Sequence, residues 1–166
     1  MRIRQEGASD PTAIEAVTIA AFQSADHASH TEQFIVRALR DSGQLAISLV
    51  ADDNGSVIGH VAVSPVTVSD GAVGWFGLGP VSVAPECQGQ GVGSRLIGHA
   101  LAELRSSGAA GCVVLGEPGY YSRFGFETEP SLVLPDVPAE YFQALSFDGL
   151  VPSGLVSYHD SFEAKA

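Results

Sequence analysis

Cationic side chains are scarce in this chain: eight Lys and Arg, with Lys165 the sole lysine, stand against nineteen Asp and Glu. The formal net charge of -11 repels phosphodiester backbones and argues against a nucleic-acid partner. The same acidity attracts cations such as polyamines or lysine-bearing peptides, although solubility alone is the better account of it. Cysteine is scarce too. Cys87 and Cys112 are too few for a zinc cluster and match no metal spacing, so reduced thiols and no metal are expected. No apolar run approaches the roughly 20 residues of a membrane helix, and the opening Met1-Arg2-Ile3-Arg4-Gln5-Glu6 lacks the apolar core of a signal peptide. These absences point to a cytoplasmic protein with no membrane partner.

What is present is a chain of 166 residues, and residues 1–166 are read as a single domain. Ile3-Arg4-Gln5 reads as a first strand. Asp10-Pro11 reads as an N-cap with proline at the first helical position, opening a helix over Thr12 to Phe22. Thr31 reads as the cap of a second helix, with Phe34, Ile35, Ala38 and Leu39 as its apolar stripe. Leu45 to Ala51, Val57 to Val68 and Trp75 to Val83 read as three strands of an antiparallel meander, turned by Asp53-Asn54-Gly55 and Asp70-Gly71. Pro65 predicts an edge or bulge, and Gly77, Gly79 and Pro80 a local distortion. Val92 to Arg105 is the clearest helix, with Val92, Leu96, Ile97, Ala100, Leu101 and Leu104 on one face. Cys112 to Leu115 then has the buried character of a strand paired in parallel after a helical crossover. Gly119 to Phe124 reads as a short helix stopped by Gly125, and Leu155 to Tyr158 as the strand of a proline-rich tail. The fold class is α/β, with a mixed, mainly antiparallel sheet.

Chemistry concentrates between Leu78 and Gly93. Three alternating glycines, Gly89, Gly91 and Gly93, bring bare backbone N–H groups to the N-terminus of the long helix, where its partial positive charge favours an anion. A tightly packed turn is the plain alternative. A Walker loop needs a lysine that this segment lacks, and the first-third-sixth glycine spacing of a dinucleotide loop fails at Ser94 and at Leu96. What fits is Gln88-Gly89-Gln90-Gly91-Val92-Gly93, which resembles the pyrophosphate loop of the GNAT acetyltransferase superfamily: Gln or Arg, two residues, Gly, one residue, Gly or Ala. The run Gly79 to Pro85 resembles the strand that enters that loop. Tyr121-Ser122-Arg123-Phe124-Gly125-Phe126 resembles the family's Tyr-containing helix and Gly-Phe pair, and the tail resembles a branch of poorly characterised bacterial acetyltransferases.

The resemblance implies a GNAT-like acyl-CoA N-acyltransferase fold with splayed central strands and helices on both faces of the sheet. It implies acetyl-CoA as co-substrate and a primary amine, on a small molecule or a protein, attacking the thioester directly in a ternary complex. Val81, Ser82 and Val83 would pair with pantetheine, the N–H near Val83 facing the thioester carbonyl. Backbone amides of Gly89, Gly91, Gly93 and Ser94, within the loop that also contains Gln90 and Val92, would hold the diphosphate, with the backbone or side chain of Gln88 at its edge. Tyr121 would be the general acid, or would hold pantetheine by its hydroxyl, with Tyr120 its rival. Glu117 is the candidate base, with Glu86 and His60 as alternatives. Family members often carry Asn ahead of the Tyr helix, where this chain has Gly116-Glu117-Pro118-Gly119. A homodimer is the assembly considered, His27 and His30 are read as a surface pair, and a non-catalytic acyl-CoA-binding or regulatory module is the alternative function.

Overall fold

The structure is a computed structural model and describes residues 1–23, 25 and 28–166. Along the chain it forms β1 (Arg2–Gln5), α1 (Pro11–Phe22), α2 (Glu32–Asp41), β2 (Ile47–Asp53), β3 (Ser56–Val68) and β4 (Trp75–Val83). There follow α3 (Val92–Ser106), β5 (Gly111–Leu115), α4 (Pro118–Tyr121), β6 (Leu132–Val133), β7 (Phe142–Ser146) and β8 (Gly154–Tyr158). Met1–Ser64, Gly79–Ala100 and Asp160–Ala166 make one compact unit, and Pro65–Leu78 with Leu101–His159 a second.

In the first unit β1, β2 and the front of β3 pair antiparallel, Ile3 opposite Ala51 and Leu49 opposite Val61. Asn54 at φ 53° and Gly55 at φ 92° are the two left-handed residues of a type I′ hairpin, as the Asp-Asn-Gly turn predicts. β2 and the front of β3 are buried on both faces at their centres, which is why these two strands, unlike β1, read as apolar runs. Val50 packs with Ile14 of α1 and Val36 of α2. Gly59 points to the opposite face, where a Cβ would sit 3.0 Å from Leu96 and 3.1 Å from Val92. Glycine at that position is what lets α3 lie so close to β3. Helices therefore cover both faces of this ladder.

The apolar face of α3 is the one its periodicity predicts: Val92, Leu96, Ile97, Ala100, Leu101 and Leu104 are all buried. Three local expectations need correction. The Asp10 carboxylate accepts from Arg4 at 2.7 Å and from the Gly7 N–H at 2.6 Å, and caps no amide of α1. A charge-assisted bond to a guanidinium outweighs a cap. The Thr31 hydroxyl likewise meets Ser29 at 2.6 Å and makes no cap bond to α2. In α2 the buried residues are Ile35, Val36 and Leu39, while Phe34 stays half-buried under the Arg37 guanidinium, 5.6 Å from its ring centre.

In the second unit β5 runs parallel to the front of β4, from Trp75 opposite Gly111 to Gly77 opposite Val113. β7 pairs antiparallel along the other edge of β5, ending with Leu115 opposite Phe142. The last residues of β3 pair with β8, Val66 opposite Tyr158, whereas Val63 still pairs with Ile47 of β2. Pro65, which has no N–H to donate, falls at this change of partner. Gly79 at φ 130° marks the distortion expected in β4. Trp75, Val113, Phe142 and Val156 are central to this unit's core. β6, parallel to β8, and β7 are strands that the tail's sequence does not announce. Among the described residues no helix is long and apolar enough to cross a membrane.

Candidate active site

The first unit carries every residue expected to hold the nucleotide end of a coenzyme. The Ala84 N–H bonds the Ile58 carbonyl of β3 at 2.9 Å. Strand alternation then turns the amides of Val81 and Val83 away from β3. Ser82 is 1% exposed and points its hydroxyl at Thr18 of α1, 3.4 Å away. Its side chain ties α1 to β4 and leaves only its main chain for a ligand.

After Val83 the chain makes one 3-10 turn, Pro85–Cys87, and enters the glycine loop. Gly89 and Gly91 have φ of 77° and 85°, a conformation that costs a residue with a Cβ about 1–2 kcal/mol. No heavy atom lies within 4 Å of where either Cβ would stand, so the space above the loop is open. The Arg95 N–H bonds the Gly91 carbonyl at 3.1 Å, which makes Gly91 the residue that opens α3. The amides of Val92, Gly93 and Ser94 thus form the helix's first turn, beyond the reach of its own carbonyls and at its positive end.

The two loop glutamines bond back to the segment that enters the loop. Gln88 donates Nε2 to the Val83 carbonyl at 3.1 Å, and Gln90 donates to the Glu86 carbonyl at 3.4 Å. The Gln88 side chain thus braces the loop against the end of β4, and its own N–H donates to the Pro85 carbonyl at 3.4 Å. The donor set fits a diphosphate: several amides converge on an open, exposed loop at a helix start, and glycines keep side chains out of that space.

The second unit carries Glu117 and Tyr121. The Glu117 carbonyl accepts the N–H groups of Tyr120 and Tyr121, each at 3.1 Å, opening α4, and its side chain is exposed. The Tyr121 ring packs edge-on against Tyr120 at 5.0 Å and Phe126 at 6.0 Å. It also lies over Gly116 so closely that a Cβ there would collide with it. That contact gives a physical reason for glycine in the segment where this chain departs from the family pattern. Burial, with smaller contributions from Tyr120 and Cys112, pushes the Tyr121 phenol up to about 12, so it is protonated at neutral pH.

His60 does not suit the role of base. It is fully buried, its Nε2 is 2.8 Å from the Ser48 hydroxyl, and Ser48 donates to Glu6 at 2.5 Å. Glu6 in turn receives two bonds from Arg40, both 2.8 Å. Because the one proton of Ser48 goes to Glu6, the hydrogen of His60 sits on Nε2. Burial lowers its pKa to about 4, and an enclosed ring has no path to a proton from a dissolved amine. Glu86 is exposed in the turn before the loop. His27 lies outside the described residues, so the His27/His30 pair is not described.

A family model described as "Acetyltransferase (GNAT) domain" matches residues 2–128. The uncharacterized N-acetyltransferase YhbS of Escherichia coli K12 is 38% identical over 169 residues, covering 98% of each chain. A crystal structure of a GNAT family acetyltransferase from Brucella melitensis in complex with acetyl-CoA is 46% identical, with a TM-score of 0.87 and 97% of each chain covered. The structure of Escherichia coli YhbS in complex with CoA is 35% identical, with a TM-score of 0.86, over 99% of this chain and 93% of that one. The chain belongs to the GNAT acetyltransferase family, and its α/β fold is the family's.

Proposed function

We propose that the protein transfers an acetyl group from acetyl-CoA to a primary amine, with Gln88, Gly89, Gln90, Gly91, Val92, Gly93 and Ser94 forming the loop that holds the diphosphate. The observation that carries this reading is the open loop with left-handed Gly89 and Gly91 at the first turn of α3. The complexes of similar proteins with acetyl-CoA and CoA support it. Acetyl-CoA supplies the acetyl group as an activated thioester. Val81 and Val83 offer main-chain amides to the pantetheine arm, and the Val83 N–H donates to the thioester carbonyl oxygen as negative charge develops there. One such donor is worth roughly 3 kcal/mol.

In the transfer a C–N bond forms to the amine as the C–S bond breaks. Glu117, directly or through water, accepts the amine's proton, since only a neutral amine is nucleophilic. Tyr121 donates its O–H to the leaving sulfur. A phenol at about 12 holds its proton more tightly than an ordinary thiol at roughly 8.5, so Tyr121 stabilises the thiolate chiefly as a hydrogen-bond donor. Tyr121→Phe is expected to lower kcat by about a hundredfold and to leave the KM for acetyl-CoA within about twofold. An unchanged kcat removes Tyr121 from the chemistry. Tight binding of CoA with no acetylation across a broad amine panel would instead identify a binding module.

A further inference from the structure

Arginines are few in this chain, and nearly all of them are engaged. Arg2 and Arg4 pair with Asp52 at 3.9 and 2.9 Å. Arg37 pairs with Glu15, and Arg40 with Glu6 at 2.8 Å. In the second unit the Arg105 guanidinium lies 4.6 Å from the centre of the Phe147 ring, and that of Arg123 lies 4.4 Å from the centre of the Tyr120 ring. Arg95 is the exception. It is exposed, and among the described residues its side chain has no ion pair, ring contact or hydrogen bond.

Arg95 directly follows the amides proposed to hold the diphosphate and belongs to the same unit. Its N–H bonds the Gly91 carbonyl at 3.1 Å, which sets it one turn above Gly91 on the same face of α3. Helical side chains tilt towards the N-terminus and cover the turn before their own Cα. The turn before Arg95 is the one that opens with Gly91, where an added Cβ would find no heavy atom within 4 Å. The Arg95 guanidinium can therefore swing over an unobstructed loop.

We propose that Arg95 binds the phosphate on the 3′ position of the coenzyme's ribose, and so makes the protein selective for CoA over its 3′-dephospho form. The inference rests on the acetyl-transfer reading above. The coenzyme carries two separate anionic groups, a diphosphate and a phosphomonoester, and the second approaches a dianion at neutral pH. Backbone amides of the loop account for the first. The ribose is joined directly to the diphosphate, so its phosphate comes next along the ligand as Arg95 comes next along the chain. A guanidinium offers phosphate oxygens two parallel N–H groups and a full charge, which a backbone amide does not. The net charge of -11 repels an anion at a distance, so a local cation is needed to hold the second group. The exposed position keeps the desolvation cost of the guanidinium small.

The test is calorimetric titration of the full chain with CoA and with 3′-dephospho-CoA at about 0.1 M ionic strength. The wild type is expected to bind CoA at least roughly tenfold more tightly. Arg95→Gln is expected to shrink that ratio to about twofold or less and to leave the affinity for 3′-dephospho-CoA within about twofold. Arg105→Gln removes the same charge near the other end of α3, about 15 Å away and beyond the screening length of about 10 Å, and is expected to keep the wild-type ratio. Both substitutions fall at exposed helical positions, where the fold is little disturbed. A ratio that survives in Arg95→Gln overturns the proposal, as does one that collapses equally in Arg105→Gln. An equal loss of both compounds in Arg95→Gln would put the guanidinium on the diphosphate and overturns it too. If the wild type binds both compounds equally, the acetyl-transfer reading stands and the Arg95 assignment alone is lost. If it binds neither, that reading falls and the proposal with it.

Discussion

His60 takes up a proton near pH 6.5 in an unfolded chain, but in the fold burial, opposed by the charge of Glu6 and aided by that of Arg40, holds it neutral down to about pH 4. Between those values the unfolded state binds more protons than the native one. Stability contributed at this residue is therefore complete above about pH 6.5 and is lost as pH falls towards 4. A shift from 6.5 to about 4 corresponds to on the order of 3 kcal/mol. His60→Gln keeps an N–H for Ser48 and removes the titration. Urea unfolding between pH 4 and 7 is expected to show a shallower pH dependence for this variant, and equal slopes for the two proteins would refute the assignment. At this scale sequence reading reaches its limit. In the sequence His60 reads only as an alternative base, and it is its burial and the partners Ser48, Glu6 and Arg40 that show a packed histidine instead. Gly116 is similar, because its meaning comes from the Tyr121 ring lying over it.

The loop and helix from Gln88 to Ser106 form the element on which the proposed function rests. Their periodicity is legible because the helix is long and one face is wholly buried, so each apolar position in the pattern has a neighbour to meet. The shorter elements are less legible. β6 has two residues, too few for a period, and β7 contains the buried amide of Gln143, which breaks an apolar run. The caps of α1 and α2 mislead because Asp10 and Thr31 have better partners nearby, Arg4 and Ser29. Within α3, Gly98 is exposed and has no heavy atom within 4 Å of an added Cβ. Gly98→Ala is accordingly expected to stabilise the protein by about 0.5–1 kcal/mol through helix propensity. That would raise Tm by about 2–4 °C for a chain of this size. A lower Tm in a thermal melt would show that this face of the helix is covered.

At the scale of the whole molecule, the net charge of -11 argues against a phosphate-rich polymer as partner more than it selects any substrate. The glycine loop proposed to hold the coenzyme can be read in sequence because its residues are contiguous and Gly89 and Gly91 are required by backbone conformation. The core of the second unit cannot, because Leu132, Val137 and Phe142 come together only through its strand pairing. The central claim is that the amides of residues 88–94 hold the diphosphate of coenzyme A. Two or more charge-assisted bonds there make CoA bind roughly a hundredfold more tightly than pantetheine, which lacks the diphosphate. Gly91→Ala, with a methyl in the open space and a strained φ, should shrink that gap to roughly tenfold or less. Calorimetric titration of both compounds into both proteins measures it directly. The account predicts a wide gap that narrows in the variant; equal affinities in the wild type, or a gap untouched by the substitution, would contradict it.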